Sequence, residues 1–170
     1  MKQIAKFEKV SYEQFKKDYL NVADVSEDRV KEIYEGIKLP KRATTGSAGY
    51  DFFAPFYIVL RPGETLKFPT GIRVKIDEGW VLKLYPRSGL GFKYRMQLDN
   101  TVGIIDSDYY YSDNEGHMFA KITNDTLEDK MFTVDVGDAY MQGVFVEFGI
   151  TKDDDANGVR NGGFGSTNKK

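Results

Sequence analysis

Residues 86–93, PRSGLGFK, place an arginine and a hydroxyl next to glycine-rich backbone. The guanidinium of Arg87 and the hydroxyl of Ser88 precede Gly89, whose backbone N–H is not shielded by a side chain. Such a group of charge-assisted and backbone donors suits phosphate oxygens. The segment therefore indicates an anion-binding loop, with a polar loop carrying an exposed arginine as the alternative interpretation.

Residues 100–109, NTVGIIDSDY, form an apolar, hairpin-like segment that ends in two carboxylates and an aromatic ring. A carboxylate such as Asp106 can orient and deprotonate a water molecule. The free backbone groups of a hairpin can hydrogen-bond to the edge of a pyrimidine. This segment therefore predicts a general base beside a base-binding pocket.

Residues 160–167, RNGGFGST, contain Phe164 among glycines that offer it no core to join. An exposed aromatic ring of this kind can stack on a nucleobase. Arg160, Ser166, Thr167 and the bare amides can close over phosphates. A plain disordered tail is the alternative interpretation.

Two isolated polar residues carry less information. Asp51 follows a small pair in SAGYDF, where a turn followed by a strand explains the pattern without any function. His117 is the single histidine of the chain, so it cannot by itself form a metal site or a Ser/His/Asp triad. We expect His117 to be an ordinary strand or loop residue.

Composition limits the chemistry and the partners. The 170 residues suit one domain with a core, and 24 Lys and Arg against 26 Asp and Glu give a net charge of −2. No basic field is available to hold a nucleic-acid backbone. The absence of cysteine excludes disulfides, thiolate zinc sites and thiol nucleophiles. No signal peptide or membrane-spanning stretch is predicted, and a cytoplasmic location is expected.

A helical segment is expected near the N-terminus. Residues 4–10 alternate as a strand, and Ser11 then stands three residues before Gln14 as in a capping box. Two short helices are predicted to fill residues 11–37. The apolar stripe of the second helix is expected to pack against the β body, and it consists of Val30, Ile33, Tyr34 and Ile37.

From Pro40 to about residue 150 the pattern changes to short β-branched and aromatic runs separated by turn residues. The runs are 56–60, 72–76, 80–85, 131–136 and 144–148. They predict an all-β sandwich or closed barrel as the body, within a β domain spanning 1–151. Residues 152–170 have almost no large apolar side chains, so they predict a mobile C-terminal arm unless a ligand orders it.

Taken in order, these motifs resemble the trimeric dUTPase family over about residues 39–168. AGYD, PRSGLGFK, GIIDSDY and GGFGST match that family's first, second, third and fifth motifs nearly letter for letter. The fourth motif is looser, because residues 137–142, GDAYMQ, keep the Gly-Asp and the Gln but lack the usual Arg-Ile-Ala.

The resemblance implies a dUTPase-like jelly roll, a homotrimer with three active sites at subunit interfaces, and hydrolysis of dUTP to dUMP and pyrophosphate with Mg²⁺. The arm of one subunit would close a site built by the other two. The Mg²⁺ would be held mainly by the triphosphate and water, with no direct protein ligand.

The resemblance also implies a role for each residue that matches a motif. Asp106 would activate water and Tyr109 would lie under the deoxyribose. Uracil would be bound by Asn100, Gly103, Ile104 and Ile105. The phosphates would be bound by Arg87, Ser88, Gly89 and Gln142, with Asp51 in support. From the arm, Phe164 and Gly165 would cover the base, and Arg160, Ser166 and Thr167 would contact the terminal phosphates.

Three departures from the family pattern stand out. Tyr109 runs into a loop of about six extra residues, 110–115, before the next glycine. Arg160 stands four residues before Phe164, where the family more often has five. The helical segment 11–37 is an addition to the family body.

Two other functions fit the same residues. A dCTP deaminase resembles this fold and its phosphate loop, but its chemistry uses a glutamate in the base pocket, whereas Asp106 and the GGFGST arm favour the pyrophosphatase. A protein-binding regulator built on a dUTPase body is the second alternative, with an unknown partner at the helical segment or the 110–115 loop.

Overall fold

The computed structural model describes residues 1–162, which form twelve strands, three α-helices and one 3₁₀-helix. The helices are α1 (Tyr12–Leu20), α2 (Glu27–Gly36), α3 (Ser88–Tyr94) and the 3₁₀-helix Ser107–Tyr111. The strands are β1 (Ala5–Lys9), β2 (Lys41–Arg42), β3 (Tyr50–Phe53), β4 (Ile58–Leu60), β5 (Thr65–Pro69), β6 (Ile72–Ile76), β7 (Trp80–Pro86), β8 (Met96–Leu98), β9 (Gly103–Ile105), β10 (Phe119–Asn124), β11 (Phe132–Val134) and β12 (Ala139–Glu147).

The strands of the described residues form four antiparallel sheets that are not closed into one barrel. The largest has the order β2-β3-β12-β7-β9, and a second has the order β5-β10-β8. The pairs β1-β6 and β4-β11 complete the body. The predicted all-β class is confirmed, and the closed-barrel form of that prediction is not.

The core lies between the sheets and is dominated by large apolar side chains. Phe52, Leu82, Ile122, Phe132 and Met141, from five different strands, are almost completely buried. Full burial of a side chain of this size contributes roughly 1.5–3 kcal/mol. The body is therefore a packed scaffold that holds the loops at its edges.

The helical segment docks against this body as predicted. Ser11 and Ser26 cap α1 and α2 by accepting from the N–H groups of Gln14 and Arg29. The apolar stripe faces inward, with Val30, Ile33 and Ile37 buried and Tyr34 partly buried against the core. The prediction that this stripe packs on the β body is confirmed.

Several element boundaries differ from the sequence prediction. The strand predicted at 144–148 begins earlier, since β12 starts at Ala139, and the strand predicted at 56–60 begins only at Ile58. The strands β5 and β10 were not predicted, although they pair with each other over five residues. Within residues 1–162, no helix is long and apolar enough to cross a membrane.

Candidate active site

An arginine-centred group of side chains gathers residues from three of the matched motifs. Arg87, which follows β7, forms an ion pair with Asp51 of β3, with Nε 3.3 Å from Oδ1. Gln142 of β12 stands opposite Asp51 in the strand register and donates from Nε2 to the carbonyl of Pro86 at 3.2 Å. We call these three residues, with Ser88 and Gly89, the Arg87 cluster.

Residues 88–94 are a short helix, not the loop that the sequence predicted. Arg87 is the N-cap of α3, and its carbonyl accepts from the N–H groups of Leu90 and Gly91 at 3.1 and 2.9 Å. The N–H groups of Ser88 and Gly89 precede these bonds and so have no partner within the helix. Both residues line a surface pocket together with Arg87, so three of the four predicted phosphate-binding residues lie in one place, whereas Gln142 is not part of this lining.

A second pocket, of about 320 Å³, opens beside β9 and the 3₁₀-helix. Its size matches a small-molecule site. We call it the Tyr109 pocket. Its lining includes the predicted base-binding and sugar-binding residues Asn100, Gly103, Ile104, Ile105 and Tyr109, as well as Arg160.

Gly103 matters because of its close approach to β7. A Cβ at this position would lie 3.0 Å from the Cβ of Leu84, its partner in the strand register. A side chain here would push β9 away from β7. The glycine at position 103 therefore allows β9, which lines the Tyr109 pocket, to pair closely with β7.

The hairpin-like segment predicted at residues 100–109 does not form a hairpin with the strand that precedes it. The strand β8 pairs with β10, whereas β9 pairs with β7 in a different sheet. The chain crosses between the two sheets at Asn100 and Thr101, where Thr101 adopts a left-handed conformation with φ 63°. The edge of β9 not used by β7 still lies at the pocket, so the base-binding prediction keeps its location.

Asp106, the predicted base, is the N-cap residue of the 3₁₀-helix and is partly exposed. Its Oδ2 lies 2.5 Å from Nη2 of Arg160. Nε of the same arginine lies 2.8 Å from Oδ1 of Asp108. Arg160 thus bridges both carboxylates and covers Asp106 within the same chain.

The described part of the arm, residues 152–162, makes a further backbone contact beside the ion pairs of Arg160. Residues 152–162 contain no helix or strand, and the carbonyl of Asn161 accepts from the N–H of Asp113 at 3.3 Å. Phe164, Gly165, Ser166 and Thr167 lie outside the described residues. Their predicted roles therefore stay predictions.

Tyr109 is buried, and its hydroxyl is held by two partners. It donates to the carbonyl of His117 at 2.7 Å and accepts from Nδ2 of Asn114 at 2.9 Å. Burial raises the pKa of the Tyr109 hydroxyl above its ordinary value. The group therefore stays protonated and remains a donor at neutral pH.

His117 and Asp18 are residues whose importance the sequence did not reveal. His117 is fully buried, its Nε2 accepts from the N–H of Gly71 at 2.8 Å, and its Nδ1 lies 2.6 Å from Oδ2 of Asp18. Nε2 is thus an acceptor, which places the proton of the neutral ring on Nδ1, directed at Asp18. Burial raises the pKa of Asp18, but the hydrogen bonds from His117 and Gln14 outweigh burial and hold it below its ordinary value.

The 110–115 loop packs on the helical segment. Glu115 accepts from both the N–H and the hydroxyl of Ser11, at 2.8 and 2.6 Å. The ring of Tyr110 lies 3.6 Å from the guanidinium carbon of Arg73. The two additions to the body therefore contact each other.

The Arg87 cluster and the Tyr109 pocket are separate in one chain. The two pockets share no lining residue. Gly103 pairs with Leu84, three positions before Arg87, which corresponds to roughly 10 Å along β7 at ~3.3 Å per residue. The structure thus brings the predicted residues together in two groups, not one.

Comparison with known proteins identifies close similarities. The dUTPase family model matches residues 35–168. The deoxyuridine 5'-triphosphate nucleotidohydrolase of Lactococcus lactis is 44% identical over 136 residues, which cover 78% of this chain and 89% of that protein. The corresponding protein of Hahella chejuensis is 40% identical over 148 residues, covering 82% and 93%.

Solved structures show the same likeness. The crystal structure of the dUTPase from Streptococcus mutans aligns with a TM-score of 0.62 and 33% identity, covering 86% of this chain and 98% of that one. A variant dUTPase from phage phi11 of Staphylococcus aureus, whose structure shows a coordinated structural Mg(II) ion, aligns with a TM-score of 0.58 over 75% of this chain. Its identity of 24% supports a likeness of fold alone.

Proposed function

Because the chain belongs to the dUTPase family, we propose that it hydrolyses dUTP to dUMP and pyrophosphate with the Arg87 cluster and the Tyr109 pocket as the two halves of its active site. The observation that supports this most directly is the Tyr109 pocket itself. One wall carries backbone from β9, another carries the ring of Tyr109, and Asp106 lies next to them. This arrangement suits a deoxynucleoside beside a water-activating carboxylate.

In this proposal the Tyr109 pocket holds the nucleoside. Asn100 and the backbone of Gly103, Ile104 and Ile105 hydrogen-bond to uracil. Tyr109 lies against the sugar, where a 2′-hydroxyl would collide with the ring and lack a partner. Asp106 accepts the proton of the attacking water.

The Arg87 cluster holds the triphosphate. Arg87 provides a charged fork, Ser88 and Gly89 provide N–H groups, and Gln142 provides an amide. Asp51 orients Arg87 through the ion pair described above. From the arm, Arg160, Ser166 and Thr167 neutralise the terminal phosphates, while Phe164 and Gly165 cover the base.

We also propose Mg²⁺ as the cofactor. Residues 1–162 contain no group of three or more His, Asp or Glu side chains arranged to hold a metal ion. The family pattern implies that the ion would be held mainly by the triphosphate and water, with Asp51 supporting those waters. When bound, the ion would neutralise charge on the phosphates.

The reaction is an in-line displacement at the α-phosphorus. Water forms the new P–O bond, Asp106 takes its proton, and the bond to the bridging oxygen breaks to release pyrophosphate. Arg160 contacts Oδ2 of Asp106 in the free chain, and a move of Arg160 to the triphosphate would free this oxygen for the attacking water. The triphosphate offers Arg160 alternative anionic partners.

A homotrimer would unite the two halves. A nucleotide can bind only where the base pocket and the phosphate donors lie in the same cleft. In a single chain, however, these two sets of residues line separate pockets. We propose that the Arg87 cluster of one subunit meets the Tyr109 pocket of its neighbour, and that an arm closes over both.

Products of the reaction test the activity. Purified protein is incubated with each dNTP and with UTP in the presence of Mg²⁺, and the products are separated. Release of dUMP and pyrophosphate from dUTP alone is expected. Formation of dUTP from dCTP would instead establish the deaminase, and no turnover of any nucleotide would refute the proposal.

Complementation between variants tests the shared site. Arg87→Ala and Asp106→Asn are each expected to be nearly inactive, because each lacks one half. After co-refolding in equal amounts, mixed trimers contain sites with an intact half from each variant, and about a quarter of wild-type activity is expected from random assembly. No recovery in verified mixed trimers would place both halves of a site in one subunit.

A further inference from the structure

Tyr109 contacts the pocket with its ring but is anchored by its hydroxyl. The ring lines the pocket, whereas the hydroxyl points into the protein toward the carbonyl of His117 and the amide of Asn114. Two hydrogen bonds at the hydroxyl fix the position of the far end of the ring, and so the tilt of its long axis. Any movement of the anchor therefore moves the pocket wall.

The anchor is itself held from the helical segment. The His117 carbonyl belongs to a residue whose imidazole is clamped between the N–H of Gly71 and the carboxylate of Asp18 in α1. Gln14, also in α1, donates from its amide to the same Asp18 oxygen at 2.8 Å. A chain of hydrogen bonds, joined through the covalent frame of His117, thus runs from α1 to the Tyr109 hydroxyl.

Packing allows this chain little freedom. Phe15 of α1 is fully buried and lies against the His117 ring, with 6.0 Å between centroids. Gly71 has φ +74°, and a Cβ there would lie 2.2 Å from Cδ1 of Ile37. The donor to His117 is therefore locked in place by the helical segment as well.

We propose that Asp18, His117 and Asn114 are positioning residues for sugar selection, which set the tilt of the Tyr109 ring through this hydrogen-bonded chain. The inference rests on the proposed function, since it gives Tyr109 the task of rejecting a 2′-hydroxyl. Steric rejection depends on a close approach, and small displacements of a positioning group have large effects. The helical segment is then a working part of the substrate pocket.

The test compares three substitutions in α1. Asp18→Ala removes the acceptor for Nδ1 of His117, whereas Asp18→Asn keeps an oxygen in the same place. Glu13→Ala changes an exposed residue of the same helix and serves as the matched control. The readout is the ratio of kcat/KM for dUTP to that for UTP, together with the ratio of the Kd of the α,β-imido analogue of UTP to the Kd of the same analogue of dUTP.

Asp18→Ala is expected to lower both ratios about threefold to tenfold, the size associated with one lost hydrogen bond. Asp18→Asn and Glu13→Ala are expected to keep both ratios. A purely structural role would lower the melting temperature of Asp18→Ala and leave the ratios unchanged, which would overturn the inference. A wild-type protein without dUTP hydrolysis would instead defeat the proposed function.

A double-mutant cycle with Tyr109→Phe tests the route of the coupling. Tyr109→Phe retains the ring and removes its anchor, so Asp18→Ala should lower the ratios no further in that background. An equal effect of Asp18→Ala in both backgrounds would overturn the inference. If Asp18→Ala does not fold, Asn114→Ala takes its place in the cycle, because it removes the other partner of the hydroxyl from a partly buried loop position.

Discussion

Replacing Asp106 by asparagine separates the chemistry of the site from its architecture. The two side chains have nearly the same shape, but the amide cannot accept a proton from water. Loss of a positioned general base lowers turnover by at least ~10²-fold. We therefore expect kcat for dUTP to fall by that factor or more.

The effect on stability should be small. The ion pair of Asp106 with Arg160 is partly exposed, with side-chain exposures of 44% and 21%. Partly exposed pairs contribute only about 0–1 kcal/mol. For a chain of this size that corresponds to roughly 2–4 °C in Tm at most.

Pyrophosphate release measures the rate, and calorimetry with α,β-imido-dUTP measures binding. Asp108→Asn is the matched control, because it removes the other carboxylate that contacts Arg160. It is expected to retain at least about half of the wild-type turnover, since the proposed mechanism gives Asp108 no proton to accept. A rate for Asp106→Asn above about half of wild type would assign water activation to another group and refute this reasoning.

The remaining predictions concern the pocket, the arm and the helical segment. Tyr109→Ala should relax discrimination between dUTP and UTP, and an unchanged kcat/KM ratio would assign sugar selection elsewhere. Truncation after Asn157 should change Tm little, because the described residues that it removes, 158–162, are exposed or only partly buried, but it should lower kcat/KM severely. Phe164→Ala should cost ~1–3 kcal/mol of that loss, and full activity of the truncated enzyme would contradict the arm's role. Ile33→Ala should lower the free energy of unfolding by about 2–5 kcal/mol in urea titrations, since this side chain is buried; a loss below ~1 kcal/mol would contradict its docking. The folded-state pKa of Asp18 is depressed, so the contribution of its carboxylate to stability is full above the ordinary pKa of 3.8 and is lost as the pH falls below that value. When Tm is measured against pH in acid, Asp18→Asn should lack this loss of stability. Identical pH profiles of Tm for the variant and the wild type would refute the prediction.

Local signals explain what the sequence predicted well. Ser11 and Ser26 mark helix starts because a hydroxyl N-cap satisfies free N–H groups close in sequence. The alternation of residues 72–76 places Ile72, Val74 and Ile76 on one buried face, as observed in β6. These features depend only on residues that are a few positions apart in the sequence.

Pairings over long distances explain what the sequence did not predict. His117 and Asp18 are 99 positions apart, so no local pattern connects them. Residues 100–109 were predicted to be hairpin-like, but β9 within them pairs with β7, while the preceding strand β8 pairs with β10 in a different sheet. The separation of Arg87 from the Tyr109 pocket depends equally on how distant strands align.

The helical segment is tied to the body at both ends. The strand before it, β1, pairs with β6 along its full length, and the strand after it, β2, pairs with β3. It therefore cannot swing out on a hinge as an appended domain would. Its amides should resist hydrogen exchange about as long as those of the neighbouring sheets, because opening the helices requires breaking strand pairs of the body. A substitution in these helices should therefore weaken the body as well, because the helices and the strands on either side of them are expected to open together.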